Sequence, residues 1–498
     1  MEKRILKAYE RYDYNGRVVP GSLVLRSKKP KNGKWKEVQA YRCCNETGGI
    51  CTNFWINQTV NPDNLDGVWT VGSGMDTQCN SFMIMEDYWT SPNNPNQDSP
   101  QNLVLQKLNN AGEVVWNRVF DFAESGVDYE YLEAQTMGVD KNNNVIVCLI
   151  AYVTATSKQR TGIIKFDNDG NKLWAIILTD SIYDQEYVTS IKFDSFNNIY
   201  LAIRGGGSTG GIIKVTPEGA IVDKKYLVHL YNLDECYIEV NSNNEIYLIT
   251  KYYGPPPIYN ARIIKLDSSL NEIWNKSFDP DTGGTPYGIA LDANENIVFQ
   301  IGNGIGANTS SLFGAYIKVS PEGNFIWATR ISNTIDPDVS LGTFQLDSDK
   351  SGNVYISSGY PSSIPGYSTN PSNTVIIAKL LPNGSLDWVY GIESVSSIYP
   401  WYWSSPIVGK VVNNALILAY YNDGDPFDAQ LFKLPLTAVA DGTYGDYTFT
   451  NITNLWTTSN PSIILSDAES IWTSDSTNSV ELNYLTFEGT YTTTLTSL

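Results

Sequence analysis

The 498-residue chain has one histidine, His229, and only 17% charged residues. One histidine excludes a metal centre built on a histidine pair, and a Ser–His–Asp triad would hang on His229 alone. It lies in KKYLVHLYNL, in or beside a strand pattern, where a packed or surface ring is the expected role. No stretch approaches the roughly 18 apolar residues of a membrane-spanning helix, and no apolar leader follows Met1, so a secretory signal is not expected. HExxH and Walker A segments are missing. GGGSTGG at 205–211 opens a strand rather than a helix, so it reads as a loop and not as a phosphate cradle. The six cysteines, Cys43, Cys44, Cys51, Cys79, Cys148 and Cys236, contain no CxxC pair. Free thiols are expected, with Cys148 and Cys236 in the core. Asp167-Asn168-Asp169-Gly170 and Asn422-Asp423-Gly424-Asp425 lack the spacing and distal Glu of a calcium loop, and turn chemistry accounts for them. No carboxylate pair stands out as glycosidase machinery. No catalytic residue, cofactor or metal is therefore expected.

What is present is strand and turn material. The chain has 32 Tyr, 13 Trp and 39 Gly, a composition that favours strands and turns over helices. The net charge of −19 is unevenly placed. Residues 1–42 carry twelve Lys/Arg against four Asp/Glu, and the remainder carries 22 against 49. A basic arm on an acidic body suggests that the arm docks where the body does not. The acidic body argues against nucleic acid as a partner, because phosphate binding needs concentrated positive charge.

The decisive feature is internal repetition. An apolar pair or its equivalent, a Lys, an apolar residue, a turn and a Trp recur as LVLQKLNNAGEVVW, GIIKFDNDGNKLW, RIIKLDSSLNEIW, YIKVSPEGNFIW and IIAKLLPNGSLDW. GIIKVTPEGAIVD puts Asp223 at the Trp position, and AQLFKLPLTAVADG puts Gly442 there. The repeated lysines are Lys107, Lys165, Lys214, Lys265, Lys318, Lys379 and Lys433, nearly evenly spaced along the chain. In the five strongest copies Trp follows Lys by nine residues. Each copy reads as a hairpin, preceded by a second hairpin whose turn opens at Asp140, Asp194, Asn241, Asp292 or Asp347. Recurrence in every copy argues that Trp packs between neighbouring units, with the Lys stem beside it.

Two hairpins in about 50 residues make one blade. The expectation is an all-β fold: a seven- or eight-bladed β-propeller of four-stranded antiparallel blades, with a basic N-terminal arm over residues 1–50. The propeller spans 51–498, with core repeats at about 100–440 and closing or extra strands at 441–498. FWINQT and GVWTVGSG could supply the outstanding strands of the first blade. SIILSDAESIWTSD and NSVELNYLTFEGTYTTTL would build an eighth blade or close the ring on N-terminal strands. Over about 100–440 the I-x-K-x-D-x-x-G-x-x-x-W hairpins resemble the degenerate propeller repeats of bacterial surface proteins, the SBBP or delta-60 type. That resemblance speaks for fold and hardly for function.

The arm, RYDYNGRVVPGSLVLRSKKPKNGKWKEVQAYRCCNE, is similar to N-terminal segments of structural proteins in tailed, crAss-like phages. It implies an anchor surface of Arg26, Lys28, Lys29, Lys31, Lys34, Trp35, Lys36 and Arg42, with other virion proteins as partners. Long aromatic, Pro-rich segments at 85–100, 251–260, 359–373 and 396–406 suit sugar faces or protein contacts. Their candidate residues are Tyr88, Trp89, Tyr252, Tyr253, Tyr259, Tyr360, Tyr367, Trp401 and Trp403. The expected function is a non-enzymatic structural component of a virion, in tail, neck or fibre, oligomeric there, with a host-surface glycan or protein as a further candidate partner. Alternatives are a cell-surface adhesin or carbohydrate-binding propeller, with an extracellular location, and, further off, a propeller enzyme acting on polysaccharide.

Overall fold

The computed structural model describes residues 7–12, 18–26, 38–42, 53–59, 68–90, 98–120, 129–153, 158–179, 186–205, 209–227, 236–253, 259–279, 285–302, 315–337, 339–341, 345–359, 366–367, 374–394, 398–399, 410–412, 415–422, 428–444, 447–461, 464–468, 472–473 and 481–484. Its hairpins are built from one turn design. The carboxylate of Asp140 accepts the N–H groups of Asn142 at 2.9 Å and Asn144 at 2.8 Å, while Asn143 takes a left-handed φ of 65°. Asp and Asn suit this role because a short polar side chain can cap the backbone it turns. The same turn opens at Asp76, Asp194, Asn241, Asp292 and Asp349. In the last case the sequence reading is corrected by two positions: Asp349, not Asp347, opens the turn, and Asp347 lies inside a strand.

The chain begins with β1 (Lys7–Tyr12), β2 (Val18–Arg26), β3 (Val38–Arg42) and β4 (Asn53–Thr59). Blade 1 holds β5 (Val68–Met75), β6 (Ser81–Thr90), β7 (Asp98–Leu108) and β8 (Val114–Phe120). Blade 2 holds β9 (Tyr129–Val139), β10 (Val145–Val153), β11 (Lys158–Phe166) and β12 (Lys172–Thr179). Blade 3 holds β13 (Glu186–Phe193), β14 (Ile199–Gly205), β15 (Thr209–Val215) and β16 (Ile221–Leu227). Blade 4 holds β17 (Cys236–Val240), β18 (Ile246–Tyr253), β19 (Tyr259–Leu266) and β20 (Glu272–Asp279). Blade 5 holds β21 (Thr285–Leu291), β22 (Ile297–Gly302), β23 (Ala315–Val319) and β24 (Phe325–Asn333). Blade 6 holds β25 (Gln345–Ser348), β26 (Val354–Gly359), β27 (Thr374–Leu380) and β28 (Leu386–Ser394). Then come β29 (Ile398–Tyr399), β30 (Lys410–Val412), β31 (Ala415–Asn422) and β32 (Asp428–Pro435). The C-terminal strands are β33 (Gly442–Tyr444), β34 (Tyr447–Asn451), β35 (Trp456–Ser459), β36 (Ile464–Asp467), β37 (Trp472–Thr473) and β38 (Glu481–Tyr484).

First strands of successive blades touch one another, so they surround the axis, and fourth strands lie outermost. Neighbouring blades pack face to face. Ile84, Leu105, Val147 and Ile164 form one such layer between blades 1 and 2, and Ile249, Ile263, Phe299 and Ile317 another between blades 4 and 5. All eight are 0% exposed, each contributing about 1.5–3 kcal/mol of burial. Among the described residues no helix is long and apolar enough to cross a membrane.

The expectation of seven or eight four-stranded blades is corrected. Among the described residues there are six blades of four to six strands, and the remaining strands form one eight-stranded sheet drawn from both ends of the chain. The reason lies in the last repeat. After β32 no hairpin turn follows, so this copy has no fourth strand of its own, and β4 takes that place. Trp55 of β4 stands in register with Lys433 of β32, as Trp174 does with Lys165 and Trp274 with Lys265. The Trp position of the last repeat is therefore occupied by Trp55 and not by Gly442. Strands β3, β2 and β1 extend the same sheet outward. This sheet packs on blade 6 through Leu416, Leu418 and Phe432, and on blade 1 through Ile417 and Leu431, which closes the ring.

The C-terminal strands neither build an eighth blade nor close the ring. They form a belt. β34 pairs with β28, β35 with β24, β36 with β20, β37 with β16 and β38 with β12, so the chain runs backwards from blade 6 to blade 2. Each pairing covers an outer strand whose N–H and C=O groups would otherwise be an open edge.

Candidate functional site at the loop end of the ring

The repeated Lys and Trp are scaffold. Trp174 Nε1 donates to the carbonyl of Pro217 in the next blade at 2.8 Å, and Lys165 Nζ donates to the same oxygen at 3.3 Å. Trp274 and Lys265 hold Pro321 O in this way, Trp327 and Lys318 hold Pro382 O, and Trp116 and Lys107 hold Asn168 O. The ammonium is balanced within its own blade: Lys165 by Asp140 at 2.9 Å, Lys265 by Glu245 at 2.8 Å, Lys318 by Asp292 at 2.7 Å. Where Asp223 replaces Trp, Lys214 still reaches the next blade, at Ser268 O, 2.6 Å away.

Function must therefore be sought elsewhere. In every blade the inner strand runs towards a tight turn, the second returns, and the third runs to another tight turn. Tight turns thus gather at one end of the ring, and the connections from second to third strands and from blade to blade at the other. Tyr88 and Trp89 close β6, Tyr252 and Tyr253 close β18, and Tyr259 opens β19, so all five belong to strand ends at the loop end. Their side chains lie outside the described residues, as do Tyr360, Trp401 and Trp403 entirely. Tyr367 is half-buried, its ring against Gly391, and burial pushes its hydroxyl up to about 12. Arg26 and Arg42 end β2 and β3, with side chains outside the described residues. Lys28, Lys29, Lys31, Lys34, Trp35 and Lys36 lie outside them too.

The same end holds a polar cluster that sequence reasoning missed. Glu133 and Gln135 come from β9, Tyr187 from the start of β13, and Arg204 from the close of β14. The Arg204 guanidinium lies 4.7 Å from the Tyr187 ring centroid, within the range of a cation–π contact. Gln135 Nε2 donates to Glu133 Oε1 at 3.1 Å. Burial lifts the Glu133 carboxyl above the ordinary carboxylate range, against the lowering pull of Gln135 and Arg204. Burial and the nearby Glu133 charge lift the Tyr187 hydroxyl as well. The set can donate from Arg204 and Gln135 and accept at Glu133, which suits a polar ligand.

Nearer the tight-turn end, Lys192 of β13 pairs with Glu239 of β17. Burial disfavours its charge, but Glu239 and Asp347 of β25 outweigh that and raise its pKa. The Lys192 side chain keeps 30% exposure. Aligning the repeats on their turns shows the signal that was available: two positions before the turn stand Gly74, Gly138, Lys192, Glu239, Ala290 and Asp347. Among the described residues no group of His, Cys, Asp or Glu could hold a metal ion. Cys79, Cys148 and Cys236 are buried thiols outside any disulfide; Cys43, Cys44, Cys51 and His229 lie outside the described residues.

No protein-family model matches the chain, and neither does any curated protein. Solved propellers are similar in fold. A subtype N11 neuraminidase-like protein of a flat-faced bat virus is 11% identical, with a TM-score of 0.40, covering 64% of this chain and 92% of its own. The Pan2 WD40 domain of Neurospora crassa is 8% identical, with a TM-score of 0.39, covering 74% and 90%. The GH43_1 enzyme from Xanthomonas citri, solved with xylose, is 10% identical, with a TM-score of 0.31, covering 76% and 89%. Identities this low concern fold alone and assign neither activity nor ligand.

Proposed function

We propose that this chain is a structural, non-enzymatic component of a tailed-phage particle, attached through its N-terminal strands and presenting the loop end of the ring to a partner. The observation that supports the reading is the attachment of the basic arm. β1, β2 and β3 are hydrogen-bonded in series to β4, which itself takes the fourth-strand place of the last repeat in the ring-closing sheet. A basic segment fixed to the ring in this way can transmit position from an anchor to the presenting surface, which a free tail cannot. Mass spectrometry of purified particles tests the proposal, with recovery of the chain in stoichiometric amount as the expected result. Removing residues 1–45 should leave a folded ring that no longer joins the particle. Particles lacking the chain, or normal incorporation of the shortened one, would contradict it.

The cluster of Glu133, Gln135, Tyr187 and Arg204 favours a second reading, a carbohydrate-binding propeller. Paired donors and acceptors beside an aromatic ring suit a sugar. Here Arg204→Ala should abolish glycan-array binding without changing the melting temperature. An array with no binding by the parent chain would remove this reading.

A further inference from the structure

One outer edge stands apart. Among the described residues the outer strands of blades 2 to 6 each carry a belt strand and the closing sheet carries β3, while no strand bonds to the outer edge of β8 in blade 1. The belt keeps a steady register. Take the third residue after the repeat's Trp position in each outer strand. Gly391 faces Thr450, Arg330 faces Ser459, Ser277 faces Ser466, Tyr226 faces Thr473 and Ile177 faces Asn483. The belt partner thus moves on by a short, nearly constant step from each blade to the next. It meets the same half of each outer strand and always runs antiparallel to it. Blade 1 is the next stop, and its corresponding residue is Val119.

We propose that the edge of β8 is the docking site for the sequence that follows Tyr484, with Val119 opposite one of Thr490, Tyr491, Thr492 or Thr493. Three observations carry this. The direction of travel leads from blade 2 to blade 1. One more step of the same size, taken from Asn483, lands on these four positions, and the chain continues to Leu498. The sequence there, GTYTTTLT, is rich in β-branched and aromatic residues that favour a pleated edge. An unpaired edge beside apolar strands is otherwise a template for association with a second copy. The belt would then cover every blade, and its last step would tie the C-terminal segment beside the N-terminal blade.

Hydrogen exchange of the full chain against a chain ending at Tyr484 tests the proposal. In the full chain the outward amides of residues 118–120 should be protected, and in the shortened chain they should exchange at least about tenfold faster. The protection in the full chain should not depend on protein concentration, since the occupant belongs to the same chain. Thr492→Pro, which removes a donor without shortening the chain, should loosen the same amides. A Val119→Cys chain carrying a second cysteine in turn at 490, 491, 492 and 493 should form an intramolecular disulfide in at least one pairing. Fast exchange in the full chain would overturn the proposal. So would unchanged protection after truncation, or cross-links that form only between molecules, which would make a second copy the occupant.

Discussion

Lys433 and Trp55 come from opposite ends of the chain and stand directly across from each other on β32 and β4. Lys433 is 0% exposed, and its ammonium donates to the carbonyl of Cys79 at 3.2 Å and to Asn110 Oδ1 at 2.5 Å, both in blade 1. Two contacts thus meet at one seam: a strand from the N-terminus completes the closing sheet, and a lysine near the C-terminus grips the first blade. Deleting residues 1–60 should therefore lower thermal stability sharply, whereas deleting 1–45, which spares β4, should change it little. Differential scanning calorimetry of both chains makes the comparison.

The buried Lys433 ammonium gives the seam a pH signature. Burial lowers its pKa to about 8, while in the unfolded chain it titrates near the ordinary value of about 10.4. Below pH 8 both states are protonated and the fold carries the full cost of burying the charge. Between about 8 and 10.4 the unfolded chain binds more protons, so this residue's contribution becomes more favourable as pH rises. Relative to Lys433→Met, the parent chain should gain about 2 kcal/mol from pH 7 to pH 10 in urea unfolding. A flat or falling difference would contradict the assignment.

The interblade staples should be graded. Trp274→Ala removes both the packing on Tyr247 and the bond to Pro321 O, and should cost about 3–5 kcal/mol. Trp274→Phe keeps most of the packing and loses the bond, and should cost much less, the bond itself contributing about 1 kcal/mol. Chemical denaturation of the two variants separates the terms.

Close approach matters at Gly391. A Cβ there would meet the Tyr367 ring at 2.3 Å. Gly391→Ala should destabilise by about 1–3 kcal/mol. Adding Tyr367→Ala should cost less than the two single changes summed, since the second removes the clash created by the first. A double-mutant cycle measures this directly.

Much of the scaffold was legible in the sequence because it repeats. The nine-residue step from Lys to Trp marks the staple, and Asp140, Asp194, Asn241 and Asp292 mark turns that the structure confirms. The blade count was not legible, because counting lysines treats Lys433 as the centre of a complete copy, whereas its fourth strand is β4. The belt was hidden for a similar reason: β36 and β37 are short, and their partners β20 and β16 lie in the first half or middle of the chain, far from them in sequence. At the candidate site, Asp347 was absorbed into a turn that Asp349 opens. Tyr187 and Arg204 are cross-strand partners within blade 3, and Glu133 meets them only once blades 2 and 3 are side by side. Local pattern shows turns and staples; contacts between blades need the ring.

The central claim is a ring closed by strands from both ends of the chain. A Gln58→Cys, Gln430→Cys chain tests it most directly, since the two positions face each other across β4 and β32. Mild oxidation of the dilute protein should give an intramolecular 58–430 disulfide, identified by peptide mapping. Failure to form it, or formation only between molecules, would contradict the closure described.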